Sequence, residues 1–143
     1  MHASTDRRWG FIRRHTVSAA NVHDSRHFEE LLDPANTSHR VWADSGYADA
    51  AREADLKQRG YQPAIQHQGQ VRKPLSEREK RRNRRIAKDR VFGEHPFARL
   101  AQQGGKCLRT IGLARATVVI GLKVASHNLM RLARLQHRGI VPA

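Results

Sequence analysis

A single cysteine, Cys107, excludes an internal disulfide and any metal cluster built from several cysteines of one chain. Aromatic residues make up only 6% of the chain, which with 28% charged residues suggests a soluble protein with a large polar surface. No run of 18 consecutive apolar residues occurs, and Met1–Arg14 lacks the apolar stretch of a signal peptide, so no membrane contact is expected and a reducing cytoplasm is the expected compartment. No internal repeat of solenoid length is visible. Acidic residues are scarce, with 13 Asp+Glu against 27 Lys+Arg and a formal charge of +14. Such a chain repels itself unless a polyanion lies nearby, and nucleic acid is the natural one because phosphate contacts release counterions. A basic soluble protein of the ribosome-associated kind has the same composition.

The 143 residues, 38% of them hydrophobic, suit one modest domain. Trp9–Ala19 is predicted as a strand, antiparallel to something upstream, with Gly10 in a hairpin turn. Asn21–Ser25 supplies turn and cap chemistry for a short helix through Phe28, Leu31 and Leu32 that ends near Asp33-Pro34. Arg40–Ala43 is a brief strand, and Asp44-Ser45-Gly46 sets a carboxylate at its C-terminal end, where α/β sheets place chemistry. The Ala-rich stretch from Tyr47 to Arg59 favours helix with Gly60 as its stop, and Tyr61–Ile65 a strand that Pro63 assigns to an edge. Gln66–Pro74 reads as a loop. Ser76 and Glu79 fit a capping box for a charged helix in which Pro96 forces a kink or a restart. A last helix, from about Ala114 to Gln136, carries Val118, Leu122, Ala125, Leu129 and Leu132 at alternating four- and three-residue steps, and this stripe is expected to face a core, with Lys123, Arg131 and Arg134 turned to solvent or DNA. The alternation of strands and helices points to the α/β class.

Two features bear on function. Between Arg72 and Arg90 stand ten basic residues against three acidic ones, and Arg81, Arg82, Arg84, Arg85, Lys88 and Arg90 are the candidate contacts to a DNA backbone; a solvated helix face is the plainer account. Asp44 and Glu94 are the candidate carboxylates. On composition alone a turn-capping aspartate and a helix-surface glutamate would suffice for them. His23 and His27 stand four apart, better explained by a capping turn and an exposed ring than by a metal, and Cys107 is better explained as an inert thiol than as a nucleophile.

The segment Val41-Trp42-Ala43-Asp44-Ser45-Gly46-Tyr47 resembles the second-aspartate motif of bacterial insertion-sequence transposases of the DDE class. Arg90-Val91-Phe92-Gly93-Glu94-His95-Pro96-Phe97 is similar to their glutamate motif, with an Arg four positions ahead of the Glu. Ala19-Ala20-Asn21-Val22-His23-Asp24-Ser25 and the closing run from Arg109-Thr110-Ile111-Gly112-Leu113 to His127-Asn128-Leu129 match in the same order. Two departures stand out. Ala87 replaces a family Tyr and Ala101 a family Lys, for which Arg99 or Lys106 are the nearby basic substitutes.

The resemblance, from about Asp6 to Leu135, implies a partial RNase H-like fold: a short mixed sheet with flanking helices and a long basic helix, residues 1–143 forming the C-terminal part of the catalytic domain without its first strand and first catalytic Asp. It implies Asp44 and Glu94 as catalytic residues and ligands of Mg²⁺ or Mn²⁺, because hard cations take oxygen ligands and clamp the oxygens of a phosphoryl displacement. Arg90 would orient Glu94 or hold a phosphate, and a plain i, i+4 salt bridge to Glu94 accounts for it equally well. Implied partners are DNA, as transposon ends and target, an upstream N-terminal transposase half, and further copies of the chain on DNA, in a bacterial cytoplasm near the nucleoid. The expectation is a transposase polypeptide whose metal site is incomplete and which does not cut DNA alone. The competing expectation is a non-catalytic basic DNA-binding module, a transposase relic.

Overall fold

The computed structural model describes residues 1–19, 24–103, 108 and 110–142, the side chains of Asp24 and Ser25 excepted. His23, Lys106, Cys107, Arg109 and the middle of the Ala19–Ser25 motif lie outside the described residues. The element order is β1 (His2–Thr5), β2 (Ile12–Thr16), a 3₁₀ turn (Asp24–His27), α1 (Phe28–Leu31), β3 (Arg40–Ala43), a 3₁₀ turn (Ser45–Tyr47), α2 (Ala50–Gln58), β4 (Gln62–Ile65), α3 (Glu77–Gln102) and α4 (Leu113–His137).

The strands form two separate two-stranded sheets among the described residues rather than one mixed sheet. β1 and β2 make an antiparallel hairpin, with His2 opposite Thr16 and an irregularity between Ser4 and Thr5. Its turn uses Gly10 at φ +71°, and the upstream partner expected of the second strand is β1. β3 and β4 run parallel, Arg40 beside Gln62 and Ala43 beside Ile65, joined through α2 as a parallel pair requires. Asp49 caps α2 through the amides of Ala51 and Arg52, and Gly60 at φ +81° ends it.

Each sheet buries its own small core. Phe28, Ala43, Leu56 and Ile65 cluster under β3–β4, with Leu32, Val41, Tyr47 and Tyr61 packed around them. Ile12, Leu100 and Val124 cluster under the hairpin, with Met1, Ala3 and Ile120 at their margin. Helix α3 joins the two. Near its start Arg82 donates to the Ile65 carbonyl at 2.7 Å, and Asn83 exchanges two bonds with the His67 backbone at 3.0 and 2.9 Å. Further along it meets β3 and β1, and Leu100 enters the second core.

One helix expectation is narrowed and another corrected. Of the kink or restart expected at Pro96, the restart does not occur: α3 continues through to Gln102 with the buried Pro96 inside it. The residues of α4 that enter the interior are Val124, His127 and Leu135, while Val118, Leu122 and Leu129 remain 62%, 67% and 66% exposed, with Ala125 and Leu132 exposed beside them. Polar chemistry selects the face. His127 Nε2 meets the Gly10 carbonyl at 2.9 Å, Asn128 pairs with both the Ile12 N–H and the Ile12 carbonyl at 2.9 Å, and Arg131 donates to the Trp9 carbonyl. These bonds satisfy hairpin backbone that would otherwise be buried unpaired, so α4 is held with this side inward. Arg131 is therefore turned to the hairpin and not to solvent.

Candidate active site and DNA-binding face

Asp44 stands directly after β3, where the strand ends and the Ser45–Tyr47 turn begins. Its Oδ1 accepts the Gly46 amide at 3.0 Å, and a Cβ on Gly46 would lie 3.1 Å from that oxygen, so the absence of a side chain there keeps the turn open. The other oxygen, Oδ2, is left to face Arg90 of α3, whose Nη2 lies 3.4 Å away. The same nitrogen lies 3.5 Å from Oε1 of Glu94, one turn later on the helix. Asp44 and Glu94 thus converge on a single cationic nitrogen, and their separation cannot exceed the total of those two distances. Turn cap and converging carboxylate are the same residue, one oxygen for each task.

Arg90 is itself held by Gln66, just after β4, at 2.8 Å. Its two carboxylate contacts are looser than the roughly 2.7–2.9 Å of a strong charge-assisted bond. Both acids are solvent-accessible, at 44% and 63% of the side chain, so the arrangement is an open one and its ion pairs add little stability. Two hard oxygen donors facing one point suit part of a divalent-cation site. Among the described residues, no group of three or more His, Cys, Asp or Glu side chains is placed to hold a metal ion. His27 instead stacks on His2 at 4.7 Å between ring centres and lies 3.2 Å from Glu30.

A cavity of about 840 Å³ opens beside the two acids, bounded by β1, β3, α1 and α3. In its wall the Asp89 carboxylate takes Arg7 at 2.5 Å and the Trp42 indole N–H at 3.3 Å, and the Arg7 guanidinium lies over Trp42 at 5.2 Å. Arg7, Trp42, Asp89, Gln66, His127 and Asn128 were not singled out by role in the sequence reading. A Trp in a short strand two residues before Asp44, and a His-Asn pair inside an apolar helix, are the signals that mark two of these groups.

The six candidate DNA contacts divide. Arg82 and Arg90 are half-buried and turned inward to Ile65, Gln66, Asp44 and Glu94. Arg81, Arg84, Arg85 and Lys88 are exposed and have no salt-bridge partner among the described residues. At 100° per residue these four, with exposed Arg78, fall within about a third of the α3 circumference, on the side opposite Asn83, Ile86 and Arg90.

The chain is thus of the α/β class, with an aspartate closing a strand and a glutamate on a long helix that face one point. Residues 1–129 match the transposase DDE domain family, and the chain belongs to that family. It is 29% identical over 133 residues to the transposase for insertion sequence element IS1106 of Neisseria meningitidis serogroup B. The match takes in 92% of this chain and 46% of that protein, so the chain spans about half the length of the curated relative. No solved structure matches the chain. No helix among the described residues is long and apolar enough to cross a membrane.

Proposed function

We propose that the chain acts in DNA transposition, with Asp44 and Glu94 as two of the carboxylates of a divalent-cation site and the outer face of α3 as a DNA-backbone surface. The convergence of both acids on Arg90 carries this reading. A bound Mg²⁺ or Mn²⁺ would stabilise charge on the oxygens of the phosphodiester being broken and formed. Asp44 Oδ2 and Glu94 Oε1 would hold it, with Asp44 Oδ1 kept on the Gly46 amide so that the side chain stays oriented. Arg90 neutralises the pair in the cation's place, and its bond to Gln66 gives the guanidinium a second anchor when the carboxylates are taken. The third carboxylate, on the first strand of an RNase H-like sheet that residues 1–143 would continue, would come from polypeptide other than these residues, such as an N-terminal transposase half. On this reading the chain binds DNA, acts with further copies on it, and does not cut it alone.

The test is lanthanide luminescence sensitised by Trp42, which lies two residues before Asp44. Tb³⁺ emission is expected to saturate in the native chain, to weaken at least tenfold in affinity in Asp44→Asn and Glu94→Gln, and to strengthen in Arg90→Gln. Equal emission from the native chain and both acid variants would overturn the cation assignment. Separately, Mg²⁺-dependent nicking of supercoiled plasmid by the native chain, abolished in Asp44→Ala, would overturn the claim that the site is incomplete.

One observation favours a second reading. The exposed cations of α3 point away from the two acids, so the helix can grip DNA with the carboxylates taking no part, as a non-catalytic binding module requires. Duplex binding that is unchanged by Mg²⁺ and by Glu94→Gln, and lost when Arg81, Arg84, Arg85 and Lys88 are neutralised, would select it.

A further inference from the structure

We propose that the exposed apolar stripe of α4 is the surface on which a second copy of this chain docks, helix against helix.

The stripe consists of the apolar residues of α4 that the hairpin core leaves out. Val118, Leu122 and Leu129 are about two-thirds exposed, and Ala125 and Leu132 are exposed beside them. Their steps of four, three, four and three residues average 3.5, the repeat at which two helices keep one seam face to face and seat side chains as knobs in each other's holes. At 100° per residue the five lie within about 40° of Val118, whereas Val124, His127 and Leu135, which enter the interior, lie at least about 100° away. α4 therefore has two separate apolar faces. Docking on the outer one leaves the hairpin bonds of His127, Asn128 and Arg131 in place. The helix is already held on the hairpin, so association does not have to order it.

Charge selects the occupant. A chain of +14 resists its own approach, yet α4 contains no Asp or Glu and the stripe no Lys or Arg. Lys123, Arg131 and Arg134 lie roughly 140–160° round the helix from Val118, on its other side. Phosphates find no cation on the stripe, and a charged amphipathic helix finds nothing to pair with. A second uncharged stripe of the same period meets no like charge, and this chain carries one; a twofold axis sets the stripe against its own copy. Gly121, Ser126 and Ala133 border the seam, and their small side chains let the two helices come close. From Val118 to Leu132 the seam is about 21 Å long. Covering it removes on the order of 500 Å² from each copy, about 1,000 Å² for the pair, which reaches the size at which a specific interface begins. Apolar patches of that extent mark interaction surfaces on soluble proteins. The interface gives a place to the further copies of the proposed function, but it rests on packing alone and requires neither metal nor DNA.

The experiment is analytical ultracentrifugation of the full chain without metal or DNA. A reversible monomer–dimer equilibrium is expected within about 1–100 µM, the range of a small interface. Leu122→Glu combined with Leu129→Glu is expected to weaken association at least about a hundredfold, because like charges then face each other across the seam. Circular dichroism should show that variant folded, since both side chains are exposed in the single chain. Leu122→Lys combined with Leu129→Lys is expected to be monomeric in the same way. An equimolar mixture of the two variants is expected to recover the dimer, a rescue that unfolding cannot produce. Val71→Glu, which changes a fully exposed apolar residue outside α4, is expected to leave the equilibrium as it is. Association that survives the double glutamate change, a mixture that stays monomeric, or loss of association in Val71→Glu would each overturn the proposal. So would a native chain that is monomeric at about 100 µM, an outcome that leaves the stripe to other polypeptide. Failure of Tb³⁺ binding with the dimer intact would count against the cation reading alone.

Discussion

Gly93 stands immediately before the candidate glutamate, in the middle of α3, where a glycine costs about 1 kcal/mol of helix propensity relative to alanine. Its neighbour gives the reason for it: a Cβ at this position would lie 3.0 Å from Thr5 Oγ1, so the hydrogen side chain lets α3 close on β1. A larger side chain requires the Thr5 side chain to give way. Gly93→Val is expected to destabilise the chain by about 1–3 kcal/mol through overpacking, read as a lowered urea midpoint. Part of the loss should return when Thr5→Ala is combined with it, and strict additivity of the two changes would show that the Thr5 contact is not the cause.

At the scale of elements, the start of α3 depends on a carboxylate. Ser76 Oγ accepts the Glu79 amide, while Glu79 accepts from the Ser76 amide at 2.9 Å and its hydroxyl at 2.7 Å, and His67 lies at 3.4 Å. These bonds, led by the Ser76 hydroxyl, hold the Glu79 carboxyl down at about 2 against the usual 4.5. A depressed carboxyl favours the folded helix above its ordinary value, and the benefit is lost as pH falls from about 4.5 through about 2. Carboxyl carbon NMR should therefore place the Glu79 titration near the low end of that window. Ser76→Ala should move the titration upward and cost about 0.5–2 kcal/mol as a lost cap; an unmoved titration would mean the box does not persist in solution.

The two faces of α4 make a second prediction at this scale. Val124 is buried in the hairpin core, whereas Leu129 is exposed. Val124→Ala is expected to cost about 1–3 kcal/mol, and Leu129→Gln to stay within about 0.5 kcal/mol, by thermal denaturation of the dilute, monomeric chain. The reverse ranking would restore the stripe of Val118, Leu122, Ala125, Leu129 and Leu132 as the core face.

For the whole molecule, a charge of +14 is distributed unevenly, and the outer side of α3 concentrates exposed cations, of which Arg81, Arg84, Arg85 and Lys88 have no salt-bridge partner among the described residues. Each phosphate contact lowers the logarithmic salt slope of duplex binding by about 0.9. Replacing Arg81, Arg84, Arg85 and Lys88 with Gln should thus flatten the slope by about 3–4 if all four touch phosphates. Replacing Arg82 should instead act on stability, because its guanidinium serves the Ile65 carbonyl. A salt slope that the fourfold variant leaves unchanged would remove α3 as the DNA surface.

The amino-acid sequence determined the local elements, because their causes are local: the Ser76–Glu79 box, Gly10 and Gly60 at positive φ, Pro63 on an outer edge, and a carboxylate closing Arg40–Ala43. Its motifs also named Asp44 and Glu94. Tertiary structure alone decided which way things faced. The face of α4 was illegible because that helix is apolar around much of its girth, and hydrogen bonds from His127, Asn128 and Arg131 to a hairpin more than a hundred residues away choose the side. Arg82 and Arg90 read like the cations around them until the carbonyl of Ile65 and the acids at 44 and 94 claimed them. The division of the strands into two sheets depends on strand order, and pairing between distant segments carries no signal in either one.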